Sequence, residues 1–127
     1  MIHYGAVSFG MSNNYMIDPA NIKYLEYFVK ADPAYGEISL NTQLRYLNNT
    51  VLSTVSLKTS HIDQYVIDAS VWSRVRISVA DFGIVAPTNI SRIIIYMNNP
   101  PSFKGFLLDE VRWIGDSKCF ESNCANV

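Results

Sequence analysis

The stretch EISLNTQLRYL, residues 37–47, decides the fold class, because apolar and polar side chains alternate along it. The two sides are Ile38, Leu40, Thr42 and Leu44 against Ser39, Asn41, Gln43 and Arg45. Successive side chains of a β-strand point to opposite faces, so this period of two predicts a strand with one face in a core and the other toward solvent.

The same period recurs along the chain and predicts about eight strands without a convincing helix. Gly, Pro, Asn and Asp separate these segments and predict turns or loops at residues 10–20, 32–36, 48–49, 81–89 and 98–101, with one short helical turn at residues 18–21. Many short strands joined by turns indicate an all-β domain, built as a sandwich or a barrel. The predicted strands are residues 2–10, 22–30, 37–47, 50–57, 64–67, 71–79, 91–98 and 106–114.

Length and charge limit the classes of function. The chain has 127 residues and a net charge of −1, so we expect a single domain over residues 1–127, with a polar tail at residues 115–127. No run of Lys or Arg supplies the basic stripe that nucleic-acid binding requires. No apolar run is long enough to cross a membrane. A neutral ligand fits this charge balance best.

Cys119 and Cys124 lie in the tail, where they could form a local disulfide, remain free thiols or bridge to a neighbouring domain. Asn48-Asn49-Thr50 and Asn89-Ile90-Ser91 are N-glycosylation sequons in stretches predicted as turns. Such triplets are common by chance and favour an extracellular location only slightly; we expect an extracellular protein whose signal peptide is not part of this sequence.

Residues suited to catalysis are sparse, and we expect no enzyme activity. His3 and His61 are the only histidines, and no Gly-x-Ser-x-Gly elbow, phosphate-binding glycine loop or His-x-x-x-His pair occurs. Asp109 and Glu110 are adjacent in a predicted strand, so they should point to opposite faces and not act on one bond.

Three segments in order resemble the β-jelly-roll carbohydrate-binding modules that are attached to plant-cell-wall glycoside hydrolases. They are residues 24–30 (YLEYFVK), residues 71–83 (VWSRVRISVADFG), and the pair 90–99 (ISRIIIYMNN) and 106–113 (FLLDEVRW). The resemblance implies an antiparallel two-sheet β-sandwich of the jelly-roll type that binds a neutral polysaccharide, a β-glucan or related plant-cell-wall glycan. It also implies a structural calcium ion with Asp109 as a ligand, although residues 1–15 contain no acidic partner for it.

The predicted ligand-binding surface combines aromatic rings, which stack on sugar C–H faces, with planar polar groups that bind hydroxyls. We expect these side chains to share one outward sheet face. The main alternative is a protein-interaction or adhesion domain, and the short start of the chain leaves open a sandwich that is completed by a partner such as a second copy. The predicted ligand-binding residues are Tyr24, Phe28, Asn41, Gln43, Arg45, Tyr46, Trp72, Arg74 and Tyr96.

Overall fold

The structure, a computed structural model, describes residues 2–4, 6–32, 38–64, 66–68, 70–97 and 105–115. These residues form eight β-strands and a single 3₁₀ turn, Thr59–His61. The strands are β1 (Ile2–Tyr4), β2 (Ala6–Ile17), β3 (Ile22–Ala31), β4 (Leu40–Arg45), β5 (Val51–Ser56), β6 (Ser73–Ser78), β7 (Thr88–Met97) and β8 (Gly105–Gly115).

The strands form two four-stranded antiparallel sheets. Sheet I has the order β1-β8-β3-β6, and sheet II has the order β2-β7-β4-β5. The chain therefore changes sheets at nearly every connection, which is the arrangement of a double-sheet jelly roll. The prediction of an all-β, two-sheet antiparallel jelly roll with about eight strands is confirmed.

The core lies between the inner faces of the two sheets. On β3 of sheet I, Leu25, Tyr27 and Val29 are fully buried, and as every second residue they share the inner face of the strand. The Tyr27 hydroxyl lies 2.8 Å from Oγ1 of Thr42 on β4, so one buried hydrogen bond joins sheet I to sheet II. Trp113 is partly buried and also packs against the core.

The start of the chain differs from the prediction. Residues 2–10 are not one strand, because β1 pairs with β8 in sheet I whereas β2 pairs with β7 in sheet II. The predicted loop at residues 10–20 is mostly strand, since β2 continues to Ile17 through an irregularity between Gly10 and Tyr15. A bulge of this kind breaks the period of two, and the polar residues in it looked like a loop.

Two further predictions are wrong. Residues 64–67 are no strand; within the described part of that segment, Ile67 makes only an isolated bridge to Ile38. Asp109 and Glu110 do not alternate between faces. Glu110 has a φ of 51°, β8 is irregular opposite residues 26–28 of β3, and both carboxylates are exposed. Local alternation cannot reveal a bulge, because it depends on how the neighbouring strand pairs.

Other predicted elements agree apart from their ends: β4 is shorter than residues 37–47, β6 begins after Trp72, and β7 begins earlier, at Thr88. The predicted turn near residue 18 is present, with the N–H of Ile22 donating to the carbonyl of Asp18 at 2.8 Å. No helix in the described ranges has the length and apolar character of a membrane span. Cys119, Cys124 and the tail after Gly115 lie outside the described residues.

Candidate functional site

The predicted ligand-binding residues fall on two different sheets rather than on one face. Because the sheets pack face to face, their outer faces look in opposite directions. The single surface predicted from the sequence therefore does not exist, and each face has to be judged separately. Sheet I carries Tyr24 and Phe28 on β3 and Arg74 on β6, with Trp72 just before β6. Sheet II carries Asn41, Gln43 and Arg45 on β4, Tyr46 just after β4, and Tyr96 on β7.

The centre of the outer face of sheet I is occupied by an ion cluster around the buried carboxylate of Glu26. The Glu26 side chain is only 1% exposed and accepts hydrogen bonds from Arg76 Nε at 2.6 Å and from Arg112 Nη2 at 2.8 Å. Burial on its own raises the pKa of the Glu26 carboxyl, but the two guanidinium groups outweigh it, so the pKa lies below its ordinary value. The carboxylate is thereby held ionised and saturated with partners, which leaves it little capacity for a ligand.

The rings of sheet I are only partly available for stacking. The Arg76 guanidinium lies 5.6 Å from the centre of the Tyr24 ring, in cation–π range, and so covers that ring. Phe28 is half-buried, whereas Trp72 is 42% exposed at the strand end. The Arg74 side chain is exposed, and its backbone N–H donates to Asp63. Sheet I thus offers one exposed indole beside a face whose central charges, those of Glu26, Arg76 and Arg112, are paired with each other.

The outer face of sheet II has a different character, and we call it the polar platform. Cross-strand register brings small, polar and aromatic side chains of all four strands, together with the aliphatic Ile94 and Val51, into rows across the sheet. Its rows are Ala6–Tyr96–Asn41–Ser56, Ser8–Ile94–Gln43–Thr54 and Gly10–Arg92–Arg45–Val51.

Side-chain hydrogen bonds fix the central polar groups of the platform. Gln43 donates from Nε2 to Thr54 Oγ1 at 3.0 Å and accepts at Oε1 from Arg45 Nε at 2.7 Å. Arg45 also donates from Nη1 to Asn49 Oδ1 at 3.3 Å. Groups that are already oriented lose little conformational freedom when they bind a ligand, which favours binding. Gln43 and Arg45, both half-buried, therefore form a preorganised pair.

Asn41 sits in the same face but has a different role. Its side chain accepts a 2.6 Å hydrogen bond at Oδ1 from Ser56, and the residue is only 4% exposed. Because so little of its surface is accessible to a ligand, the Asn41 side chain serves mainly to join β4 to β5. We therefore assign Asn41 to positioning the platform, next to the half-buried Tyr96.

An open strip runs along β2 beside the Tyr96 ring and the Arg92 guanidinium of β7. Ala6, Ser8 and Gly10 are all small and exposed, and a Cβ added at Gly10 would have no atom within 4 Å. Arg92 donates from Nη1 to Ser8 Oγ at 2.7 Å across this strip. The sequence prediction missed Ser8, Gly10 and Arg92; alternation of Ser8 with Val7 and Phe9 was the available signal, but nothing local showed that β2 lies beside β7.

The rim of the platform is the turn between β4 and β5. Tyr46 is 40% exposed and Leu47 is 71% exposed, and they line a shallow recess with Asn48 and Asn89. Ser91 Oγ donates to the Tyr46 carbonyl at 2.6 Å, which anchors the turn to β7. Both sequon asparagines are therefore exposed at one rim.

A cleft of about 340 Å³ opens between β2 and β8 at the side of the sandwich. Its walls are mainly apolar, with Phe9 and Met11 facing Leu108 and Trp113. Trp113 Nε1 is buried and has no hydrogen-bond acceptor in the described structure. The charged residues Asp109, Glu110 and Arg112 border the cleft.

His61 is the one histidine whose side chain is described, and both of its ring nitrogens are in use. The N–H of Lys58 donates to Nδ1 at 3.0 Å, so the neutral ring carries its proton on Nε2. That nitrogen lies 2.9 Å from Asp81 Oδ2 and donates to it. In this arrangement the ring has no free lone pair with which to take a proton from a serine. It links the turn after β5 to the turn after β6.

Among the described residues, Asp109 does not belong to a cluster of three or more possible metal-binding side chains. Calcium takes six to eight oxygen ligands, several of them carboxylates. In the described ranges no three Asp, Glu, His or Cys side chains converge as a metal-binding group, and Asp109 Oδ1 accepts from the N–H of Glu110 at 2.9 Å. Calcium binding by Asp109 stays a prediction.

Comparison with known proteins finds no matching family model, no similar curated protein and no similar solved structure. The resemblance to carbohydrate-binding modules thus rests on the sequence segments alone, and the function has to be argued from the geometry.

Proposed function

We propose that this protein is a non-catalytic carbohydrate-binding module whose polar platform binds a neutral polysaccharide of the plant-cell-wall type. The observation that carries the proposal is the preorganised Gln43–Arg45 pair on an exposed sheet face, with Tyr46 at one end and an open strip along β2. Sugar hydroxyls need planar groups that both donate and accept, and sugar C–H faces need a ring.

The opposite face supports this function less well. Its central carboxylate is 1% exposed and already bound by two arginines, and the Tyr24 ring lies under Arg76. A ligand there would have to displace these contacts at a cost in free energy, whereas the platform keeps its polar groups in place while it binds. We therefore place Tyr24, Phe28, Trp72 and Arg74 outside the proposed glycan site.

Retention on insoluble cellulose, xylan, mannan and chitin, followed by titration calorimetry with soluble oligosaccharides, tests the proposal. Tyr46→Ala should weaken binding by about fivefold, because one ring contact contributes on the order of 1 kcal/mol. Gln43→Ala should have a similar or larger effect. Gly10→Leu should weaken binding by filling the open strip, since the backbone there has no positive φ and a side chain meets no neighbour.

Trp72→Ala is the matched control, because it removes an exposed ring of nearly equal accessibility from the other face. It should leave retention unchanged. Loss of binding in Trp72→Ala alone would move the site to sheet I. No retention on any of the four polysaccharides, with the protein shown to be folded, would reject this proposed function.

A further inference from the structure

Sheet edges carry unpaired backbone groups, and proteins usually protect them with charges, bulges, short strands or covering segments. Sheet I ends at β1 and β6, and sheet II ends at β2 and β5. Three of these four edges show such protection in the described residues.

The edge of β6 is covered, because Ile62 bridges to Val75 and Asp63 exchanges hydrogen bonds with the backbone of Arg74. β1 has only three residues, and the stretch of β8 beyond it carries a charged bulge with Glu110 at positive φ. β2 is interrupted between Gly10 and Tyr15.

The edge of β5 has no charge, proline or further described strand over most of its length, and it borders a recess whose far side is formed by Lys58, His61 and Asp81. Its sequence, VLSTVS, contains no charge, proline or glycine. An irregularity lies only at its start, opposite Leu44 and Arg45, and pairing with β4 is regular from Ser53 onward. No described strand lies on its other side.

The hydrogen-bond pattern shows which backbone groups of β5 face outward. Leu57 donates to the carbonyl of Leu40 at 3.0 Å, so residues 53, 55 and 57 point their N–H and C=O groups toward β4. In an antiparallel ladder the intervening residues point the other way. Thr54 and Ser56 therefore present their N–H and C=O groups at the open edge.

We propose that two copies of this chain associate through β5, so that their two sheets II form one continuous antiparallel sheet. A two-fold axis at Val55 places Thr54 of each copy opposite Ser56 of the other, and each such pair can exchange two backbone hydrogen bonds. No charged side chain lies between Ser53 and Leu57, so identical strands meet without like-charge repulsion, and the facing hydroxyls add favourable cross-strand contacts.

The association extends the polar platform, because a two-fold axis perpendicular to the sheet keeps both outer faces on the same side. Two platforms would then bind one glycan chain with a higher apparent affinity than either alone. The dimer itself does not depend on sugar binding. One short strand pair buries little surface, so we expect a weak dimer with a dissociation constant on the order of micromolar.

Sedimentation velocity of the full chain from about 1 to 300 μM should show a concentration-dependent shift from monomer to dimer. Thr54→Pro removes an outward N–H without touching the ladder to β4, and it should abolish the shift. Thr54→Val is the matched control, because it loses the same hydroxyl contact to Gln43 but keeps the N–H. It should still dimerise.

Amide hydrogen exchange of the unmodified chain provides a second test that needs no variant. The N–H groups of Thr54 and Ser56 should exchange fast at low concentration and become protected as the concentration rises, whereas Val55 should be protected throughout. A chain that is monomeric over the whole range, with Thr54 and Ser56 unprotected, would overturn the proposal. A dimer that persists in Thr54→Pro would also overturn it, because the contact would then lie elsewhere.

Discussion

The contribution of the buried hydrogen bond between the two sheets to the stability of the sandwich can be measured directly. The Tyr27 hydroxyl and Thr42 Oγ1 are 2.8 Å apart, and both residues are fully buried. Tyr27→Phe and Thr42→Val each delete one partner while nearly keeping its shape. The double variant deletes both, so the three variants and the parent form a complete cycle.

The expected magnitudes follow from what each variant leaves behind. A single substitution leaves one buried hydroxyl without a hydrogen-bond partner, which should lower the free energy of unfolding by about 1–3 kcal/mol. The double variant leaves no unpaired group at this position, so its loss should be clearly smaller than the sum of the two single losses. For a chain of this length, about 1 kcal/mol corresponds to a fall in Tm of roughly 4 °C.

Urea unfolding followed by circular dichroism measures the four free energies. Thr54→Val is the control, because it removes a hydroxyl that is bonded to Gln43 on the exposed face, and it should change stability by no more than about 0.5 kcal/mol. Single losses that simply add in the double variant would show that the two hydroxyls are not coupled. That result would refute the inter-sheet hydrogen bond.

Three further predictions concern ionisable groups. Burial raises the pKa of Tyr27 above its ordinary value of 10.0, so this residue stabilises the fold fully below pH 10. Above pH 10, unfolding measurements should show a loss of stability that is smaller in Tyr27→Phe than in the parent. The same loss of stability in both proteins at alkaline pH would contradict the burial of Tyr27. The pKa of Glu26 is lowered from 4.5, so its stabilising effect is present above that value and lost as the pH falls through the folded pKa. Glu26→Gln should therefore cost about 1–3 kcal/mol at pH 7 and lose part of the acid sensitivity, whereas an unchanged acid transition would argue against the ion cluster. His61→Phe leaves the Lys58 N–H and the Asp81 carboxylate without their partner, so chemical denaturation should show a free energy of unfolding that is lower by about 1–2 kcal/mol. A change within about 0.5 kcal/mol would mean that the link between the two turns contributes little to stability.

Most individual strands were predictable, because alternation is a local property of an extended chain. The buried residues Leu40, Thr42 and Leu44 lie on the face that alternation assigned to the core. Two of the failures, at residues 10–20 and at Asp109–Glu110, fall where bulges interrupt the period of two. The candidate site was only partly predictable. Gln43, Arg45 and Tyr46 belong to the proposed platform, but Trp72 and Arg74 lie on the other sheet.

The sequence by itself determined that this chain is all β, and it determined which side of most strands is apolar, since both depend on residues two positions apart. Only the tertiary structure decided which strands are neighbours. It brought Ser8 and Arg92 together, surrounded Glu26 with Arg76 and Arg112, and left β5 at an open edge. Pairing of distant strands depends on how both sheets close over a shared core, and that non-local free energy leaves no periodic signal in the sequence.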